Sequence, residues 1–236
     1  VLWEQEPPIR SRRHFGSRVV EAPDGTLWVT IGDRANRELA QHPDKTIGKV
    51  IRVNRDGTIP EDNPFVGDDG VHDAIWSLGH RNPQGAALDR ETGALWIVEH
   101  GARGGDEINR PEAGRNYGWP VISYGVHYSG EPIGEGTHKE GMEQPVHYWD
   151  PSIAPSGMAI YSGRLWPEWE GDIFVGALKF ELISRLDREG ERIAGEERLF
   201  AGRFGRIRHV AEGPEGALWF LTDEDNGALY RVTPAG

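Results

Sequence analysis

Between His80 and Pro120 the chain reads HRNPQGAALDRETGALWIVEHGARGGDEINRPEAGRNYGWP, and this stretch carries most of the side chains capable of chemistry. It opens with a cation beside an amide, Arg81-Asn82, passes through a strand pattern, and then sets Glu-His-Gly ahead of a Gly-Gly-Asp-Glu turn. Gly101, Gly104 and Gly105 free the backbone to turn its carbonyls toward one centre, while Asp106, Glu107 and the Tyr117 oxygen add hard donors nearby. Oxygen donors alone favour calcium over a transition metal. The competing reading is a polar turn whose acids pair with Arg103 and Arg110, since the window lacks the fixed spacing of an EF-hand loop.

The elements that must position these groups repeat. PDGTLWVTIGD from Pro23, ETGALWIVEHG from Glu91, WEGDIFVGALK from Trp169 and PEGALWFLTDE from Pro214 share a turn, a glycine and an apolar strand. Their glycines, Gly25, Gly93, Gly171 and Gly216, each sit in a hairpin preceded by RVVEAP, AALDRE, GMAIYSG or HVAEGP. A third strand follows in GKVIRVNRDG, LISRLDREG and ALYRVTP, and an outer strand in AIWSLGH and RLFAGRF. This anatomy predicts an all-β fold, a β-propeller of four-stranded antiparallel blades, with no amphipathic helix in competition. Trp28, Trp96, Phe174 and Trp219 share one offset and are expected to pack between blades. VLWEQ at the start reads as the outer strand of a unit that begins upstream, so the chain is expected to hold about four blades of a larger ring as one domain over residues 1–236. Residues 121–149 read as an inserted loop, and His42, His72, His127, His138 and His147 as loop or surface groups without metal-ligand spacing.

The repeat also sorts the polar residues. His14 lies eleven residues before Gly25, Asn82 eleven before Gly93 and Arg206 ten before Gly216, with Arg81 and Arg208 alongside. Eight residues beyond the glycines stand Asp33, Gly101, Lys179 and Glu224. In a propeller the first strand of each blade lines the central channel, so His14, Arg81, Asn82, Lys179, Arg206 and Arg208 are expected to meet at one mouth, with Arg34 close by. A single Arg or Lys is usually a solvated group and a single His usually structural, but unrelated surface residues have no reason to share one register. So many cations in one funnel call for an anion, and a ligand with several carboxylates suits forked guanidinium donors.

Composition bounds the function. A formal charge of −12 argues against nucleic acid as a partner, and no apolar run is long enough for a membrane span. The absence of cysteine removes disulfides, thiolate metal sites and cysteine nucleophiles. With 32 glycines, 16 prolines and 9 tryptophans the chain suits a turn-rich β protein rather than disorder.

The segments HFGSR, IGDR, GHRNPQG, EHGARGGDEIN, NYGWP and RIRHV together resemble the soluble quinoprotein glucose/sorbosone dehydrogenase family, most closely its aldose sugar dehydrogenase branch. The resemblance implies a six-bladed propeller, of which this chain would be the C-terminal two-thirds, carrying pyrroloquinoline quinone (PQQ) and calcium and usually exported to the periplasm. It implies that His14 is the general base, that Arg81 polarises the quinone oxygen beside Asn82, and that Lys179, Arg206 and Arg208 hold the PQQ carboxylates. It places calcium on the carbonyls of Gly101 and Ala102, where relatives often have proline at the second position, with Glu107 and Tyr117 as further ligands. The expected reaction is oxidation of an aldose at its anomeric carbon to the lactone, followed by electron transfer to an external acceptor. The alternative is a non-catalytic sugar- or ligand-binding propeller; a propeller lactonase would want an acid-rich funnel instead.

Overall fold

Gly25, Gly93, Gly171 and Gly216 all take positive φ, from 73° to 86°, in the computed structural model, which describes residues 1–235. Glycine enters this region without a Cβ penalty, and each of the four closes the hairpin expected of it. The chain divides into two compact units, one over Val1–Pro151 and one beginning at Ser152.

The first unit holds two four-stranded antiparallel meanders. One comprises β1 (Val19–Glu21), β2 (Thr26–Ile31), β3 (Lys49–Asn54) and β4 (Ile75–Leu78); the other comprises β5 (Pro83–Leu88), β6 (Leu95–Glu99), β7 (Asp106–Asn109) and β8 (His147–Trp149). Ala22, Trp28, Val50, Leu95 and Ile97 form one buried cluster drawn from both sheets. The second unit holds β9 (Pro155–Ile160), β10 (Ile173–Ala177), β11 (Leu182–Glu189) and β12 (Arg192–Leu199), and then β13 (Ile207–Glu212), β14 (Leu218–Thr222) and β15 (Leu229–Val232) in a three-stranded meander. Its core is built from Tyr161, Phe174, Ile183, Ile207, Val210, Leu218 and Phe220. Among the described residues no helix is long and apolar enough to cross a membrane.

Strand order follows chain order in every sheet, as the repeat requires. Two irregularities bear on the site. The β5–β6 ladder shifts register between Pro83 and Gly85, and the β13–β14 ladder between Ile207 and His209. The first follows Arg81-Asn82 and the second encloses Arg208, and a bulge re-aims the side chains beside it.

Some expectations are corrected. Residues 1–5 form no strand; Trp3 packs instead on the cluster of Ile31, Ile51, Val53 and Ala74, so side-chain burial rather than ladder pairing places this segment. The outer strand expected in RLFAGRF begins earlier, at Arg192, because the Gly190 turn pairs it with β11 as a long hairpin. His147 opens β8 rather than lying in a loop. Trp28, Trp96 and Phe174 are buried, whereas Trp219 is half-buried and carries the Arg231 guanidinium over its ring. The insertion after Pro120 buries Ile133 against Ala40, Ala102 and Trp119.

Lys49 is buried to 0% exposure, against the habit of lysine. Its Nζ donates to the carbonyls of Leu39 and Ala40, at the end of a short 3-10 helix (Arg37–Gln41), and to that of Ile47, at 2.7–2.9 Å. Burial pushes the ammonium down to about 7, yet all three donors are matched. Lys49→Met is therefore expected to cost about 2–4 kcal/mol by removing three buried hydrogen bonds, although the Leu39 and Ala40 carbonyls keep the His42 and Gly79 N–H groups. Denaturant unfolding measures this, and the same change at the half-buried Lys45 has little effect.

Candidate active site

The turn ahead of β1 places His14 in the left-handed region, with φ of 56°, and aims its imidazole at a buried acid. His14 Nδ1 lies 2.5 Å from Asp33 Oδ1; the Asp33 side chain is 0% exposed and that of His14 19%, so one edge of the ring stays open. Asp33 also accepts from the Ala35 N–H at 2.7 Å and from Trp119 Nε1 at 2.8 Å. An acceptor oxygen at that distance from His14 selects the tautomer with hydrogen on Nδ1, which leaves Nε2 as a proton acceptor. Arg34 donates to the His14 carbonyl at 2.7 Å and lies over the exposed Phe15 ring.

Arg81 and Asn82 come to the same place. Asn82 Oδ1 accepts from the Gly16 N–H at 2.9 Å, and the Asp33 N–H donates to the Arg81 carbonyl at 2.8 Å. A Cβ on Gly16 would sit 2.1 Å from the Pro83 carbonyl oxygen, so only glycine permits this approach. The Arg81 guanidinium donates to the His100 carbonyl at 3.0 Å and lies over the Trp119 ring, 5.1 Å from its centre. His14, Arg81 and Asn82, three of the expected site residues, are thus joined through Asp33, Gly16 and Trp119.

The Gly101–Glu107 segment folds back on itself. A Cβ on Gly101 would meet the Gly104 and Gly105 carbonyl oxygens at 2.2 and 2.3 Å, and the Gly101 N–H donates to Asp106 at 2.9 Å. Ala102 is buried. Glu107 stands across the ladder from Glu99, and Asn109 donates to both carboxylates. Burial first, then the Glu99 and Asp106 charges, push the Glu107 carboxyl up to about 8. Tyr117 donates its hydroxyl to the Arg110 carbonyl at 2.5 Å and accepts from the Glu112 N–H, which turns that oxygen toward the 110–112 turn. A cavity of about 10 Å³, room for about one water-sized occupant, is lined by Arg81, Glu99, Gly101, Gly105, Glu107 and Tyr117 among others. No group of three or more His, Asp or Glu among the described residues has the geometry of a metal site. A cation at this place would have to draw partly on backbone carbonyls.

In the second unit Arg206 and Arg208 converge on Asp223, whose Oδ2 takes Arg206 Nη2 at 3.1 Å and Arg208 Nη2 at 2.8 Å. Arg206 Nη1 also reaches the carbonyl of Leu178, the neighbour of Lys179, and its N–H donates to Glu224. Arg206 and Arg208 are therefore held together at the start of β13, while the Lys179 ammonium lies over the Phe180 ring, 5.1 Å from its centre. Hydrogen bonding from Arg208 leads in holding the Asp223 carboxyl below its ordinary range. Asp223, Trp119, His80 and Glu99 are parts of these arrangements that residue counting passed over; only Asp223, beside Glu224 at the shared offset, carried a signal.

The family model for glucose/sorbosone dehydrogenases matches residues 1–231. The chain belongs to that family. It is 44% identical to the aldose sugar dehydrogenase YliI of Escherichia coli over 236 residues, 99% of this chain and 64% of that protein. The solved apo structure of the soluble aldose sugar dehydrogenase from Escherichia coli matches with a TM-score of 0.95 at 44% identity, covering 99% of this chain and 68% of that one. The PQQ-bound aldose sugar dehydrogenase of Streptomyces coelicolor matches with a TM-score of 0.75 at 29% identity, over 94% of this chain and 61% of that one. The chain thus spans a little under two-thirds of the Escherichia coli relative's full length.

The raised Glu107 carboxyl gives this family member a pH signature. Between its ordinary 4.5 and about 8 the folded state holds a proton that the unfolded chain has released, so stability falls as pH rises through that window. Thermal unfolding in a chelating buffer is expected to show this decline, and Glu107→Gln to flatten it.

Proposed function

We propose that the chain is the greater part of a PQQ- and calcium-dependent dehydrogenase that oxidises aldoses at the anomeric carbon to lactones. The observation that carries this reading is the His14–Asp33 pair held beside Arg81 and Asn82. In this reading residues 1–236 belong to a single propeller domain, part of a six-bladed ring, in a protein exported to the periplasm or beyond, and an external acceptor removes the electrons.

When bound, PQQ supplies the acceptor for the hydride that leaves the anomeric carbon. His14 Nε2 takes the proton of the anomeric hydroxyl as that hydride departs, and the carbonyl of the lactone forms. Asp33 stabilises the imidazolium that results and keeps the ring from turning. Arg81, with Asn82 beside it, places positive charge and donors where negative charge grows. Lys179, Arg206 and Arg208 bind carboxylates, a role supported for the two arginines by their convergence on the Asp223 carboxylate.

The donor set around Gly101 fits calcium better than a transition metal. Hard carbonyl oxygens of Gly101 and Ala102 and the Glu107 carboxylate would hold it, with Tyr117 at the rim, and the crowding of Glu107 by Glu99 and Asp106 favours a cation there. Calcium would add positive charge at the cofactor site and relieve that repulsion.

Titration of the calcium-loaded protein with PQQ, followed by addition of glucose, tests the reading: binding with appearance of the reduced-quinone spectrum is expected. Binding without reduction would favour the non-catalytic alternative, and no binding would remove the cofactor. His14→Gln should leave PQQ binding intact and lower turnover by about 10²–10⁴-fold, as loss of a general base does. Arg206→Ala with Arg208→Ala should weaken PQQ binding; unchanged affinity would end the carboxylate assignment.

A further inference from the structure

Ser77, His80 and Glu99 form a hydrogen-bonded chain sealed inside the first unit. His80 Nε2 lies 2.9 Å from Ser77 Oγ, and His80 Nδ1 lies 2.9 Å from Glu99 Oε1. The residue types and distances are those of a serine–histidine–acid nucleophile, but Ser77 and His80 are 0% exposed and Glu99 is 4% exposed. No substrate can reach that hydroxyl. The arrangement must serve another end.

Its far side identifies that end. Glu99 Oε2 accepts from the Arg81 backbone N–H at 2.6 Å, a short charge-assisted bond, and the residue after Glu99 offers its carbonyl to the Arg81 guanidinium at 3.0 Å. Arg81 Nε has no hydrogen-bond partner among the described residues, so the side chain is held by one carbonyl and the Trp119 face. Its aim therefore depends on its main chain. That main chain is gripped at both ends, at N–H by Glu99 and at C=O by Asp33.

Glu99 in turn needs a fixed seat. Its Oε1 takes His80 and, at 3.0 Å, Asn109, while the His80 ring stacks on Tyr117 at 4.9 Å and 22° and so cannot rotate freely. We propose that His80 and Glu99 are positioning residues that aim Arg81, with Ser77 fixing the imidazole. The inference rests on the reading of Arg81 as the group that stabilises developing charge in aldose oxidation.

Glu99→Gln is the informative change. Asn109 Oδ1 is buried without a partner, so that amide can turn over and accept from the new Gln amide, and the fold has a route to accommodate the variant. Three readouts are expected in the intact protein. The Arg81 backbone amide, shifted downfield in NMR by its short bond to a carboxylate, moves upfield in Glu99→Gln and in His80→Gln. In the PQQ-loaded protein kcat falls by about 10- to 100-fold, the range for supporting partners of a site, with KM for glucose little changed. In an Arg81→Gln background the Glu99 change adds no further loss of kcat, because the effect passes through Arg81.

An Arg81 amide signal that stays in place in both variants would overturn the proposal, and so would losses that add in the double variant or simply track the melting temperature. If the wild-type protein binds PQQ but glucose does not reduce it, the dehydrogenase reading fails; the amide shift then still decides whether Glu99 holds Arg81.

Discussion

Asp33 is a carboxylate with no exposure to solvent, and the site cannot be assembled without it. A buried charge costs several kcal/mol unless its oxygens are filled, and here Ala35, His14 and Trp119 fill them. Each of those bonds fixes something else: a loop, the ring of the expected base, and the indole beneath the expected electrostatic catalyst. The Asp33 N–H adds a fourth link, to the Arg81 carbonyl. One desolvated acid thus converts residues from separate sheets into a single rigid group, and the strength of each bond in low dielectric is what holds their relative placement.

Such closeness has a steric condition. A Cβ on Gly32 would come 2.2 Å from the His14 carbonyl oxygen, as one on Gly16 would strike Pro83, so glycine at both positions lets two backbones touch where side chains elsewhere hold sheets apart. Arg81 and Asn82 stand just ahead of β5, whose ladder shifts register between Pro83 and Gly85, so they too lie outside a regular ladder. The site is made from places where regular β geometry is interrupted, and the regular part of each sheet supplies the rigidity that keeps those interruptions in place.

Much of this was legible because glycine has a mechanical meaning at a turn. Gly25, Gly93, Gly171 and Gly216 marked the hairpins, and counting from them found His14, Asn82, Arg206 and the neighbouring cations. Counting could not find His80 or Glu99, since each lies within a segment whose neighbours claimed attention and their partnership spans nineteen residues with no repeat to signal it. Lys49 was invisible for a different reason: a lysine at a strand start reads as solvated, and only the folded carbonyls of Leu39, Ala40 and Ile47 reveal a buried ammonium with all its donors matched. Val1-Leu2-Trp3 misled in the opposite sense, because an apolar, aromatic segment suits a strand and a hydrophobic cover equally well, and Trp3 took the cover.

The second unit raises an electrostatic question that net charge alone answers wrongly. In a chain of −12, Arg206 and Arg208 would be expected to lie flat against whichever acids are nearest, and Asp223 indeed receives both. A single carboxylate between two guanidiniums leaves one positive charge uncompensated, with both side chains still about two-fifths exposed. The acid therefore orders the cations without neutralising them. Two arginines free in solvent would pay rotamer entropy on meeting an anion, whereas two already oriented by a shared carboxylate lose less. In the proposed reading Asp223 therefore helps the pair to receive a carboxylate, although by charge alone it would be counted against one.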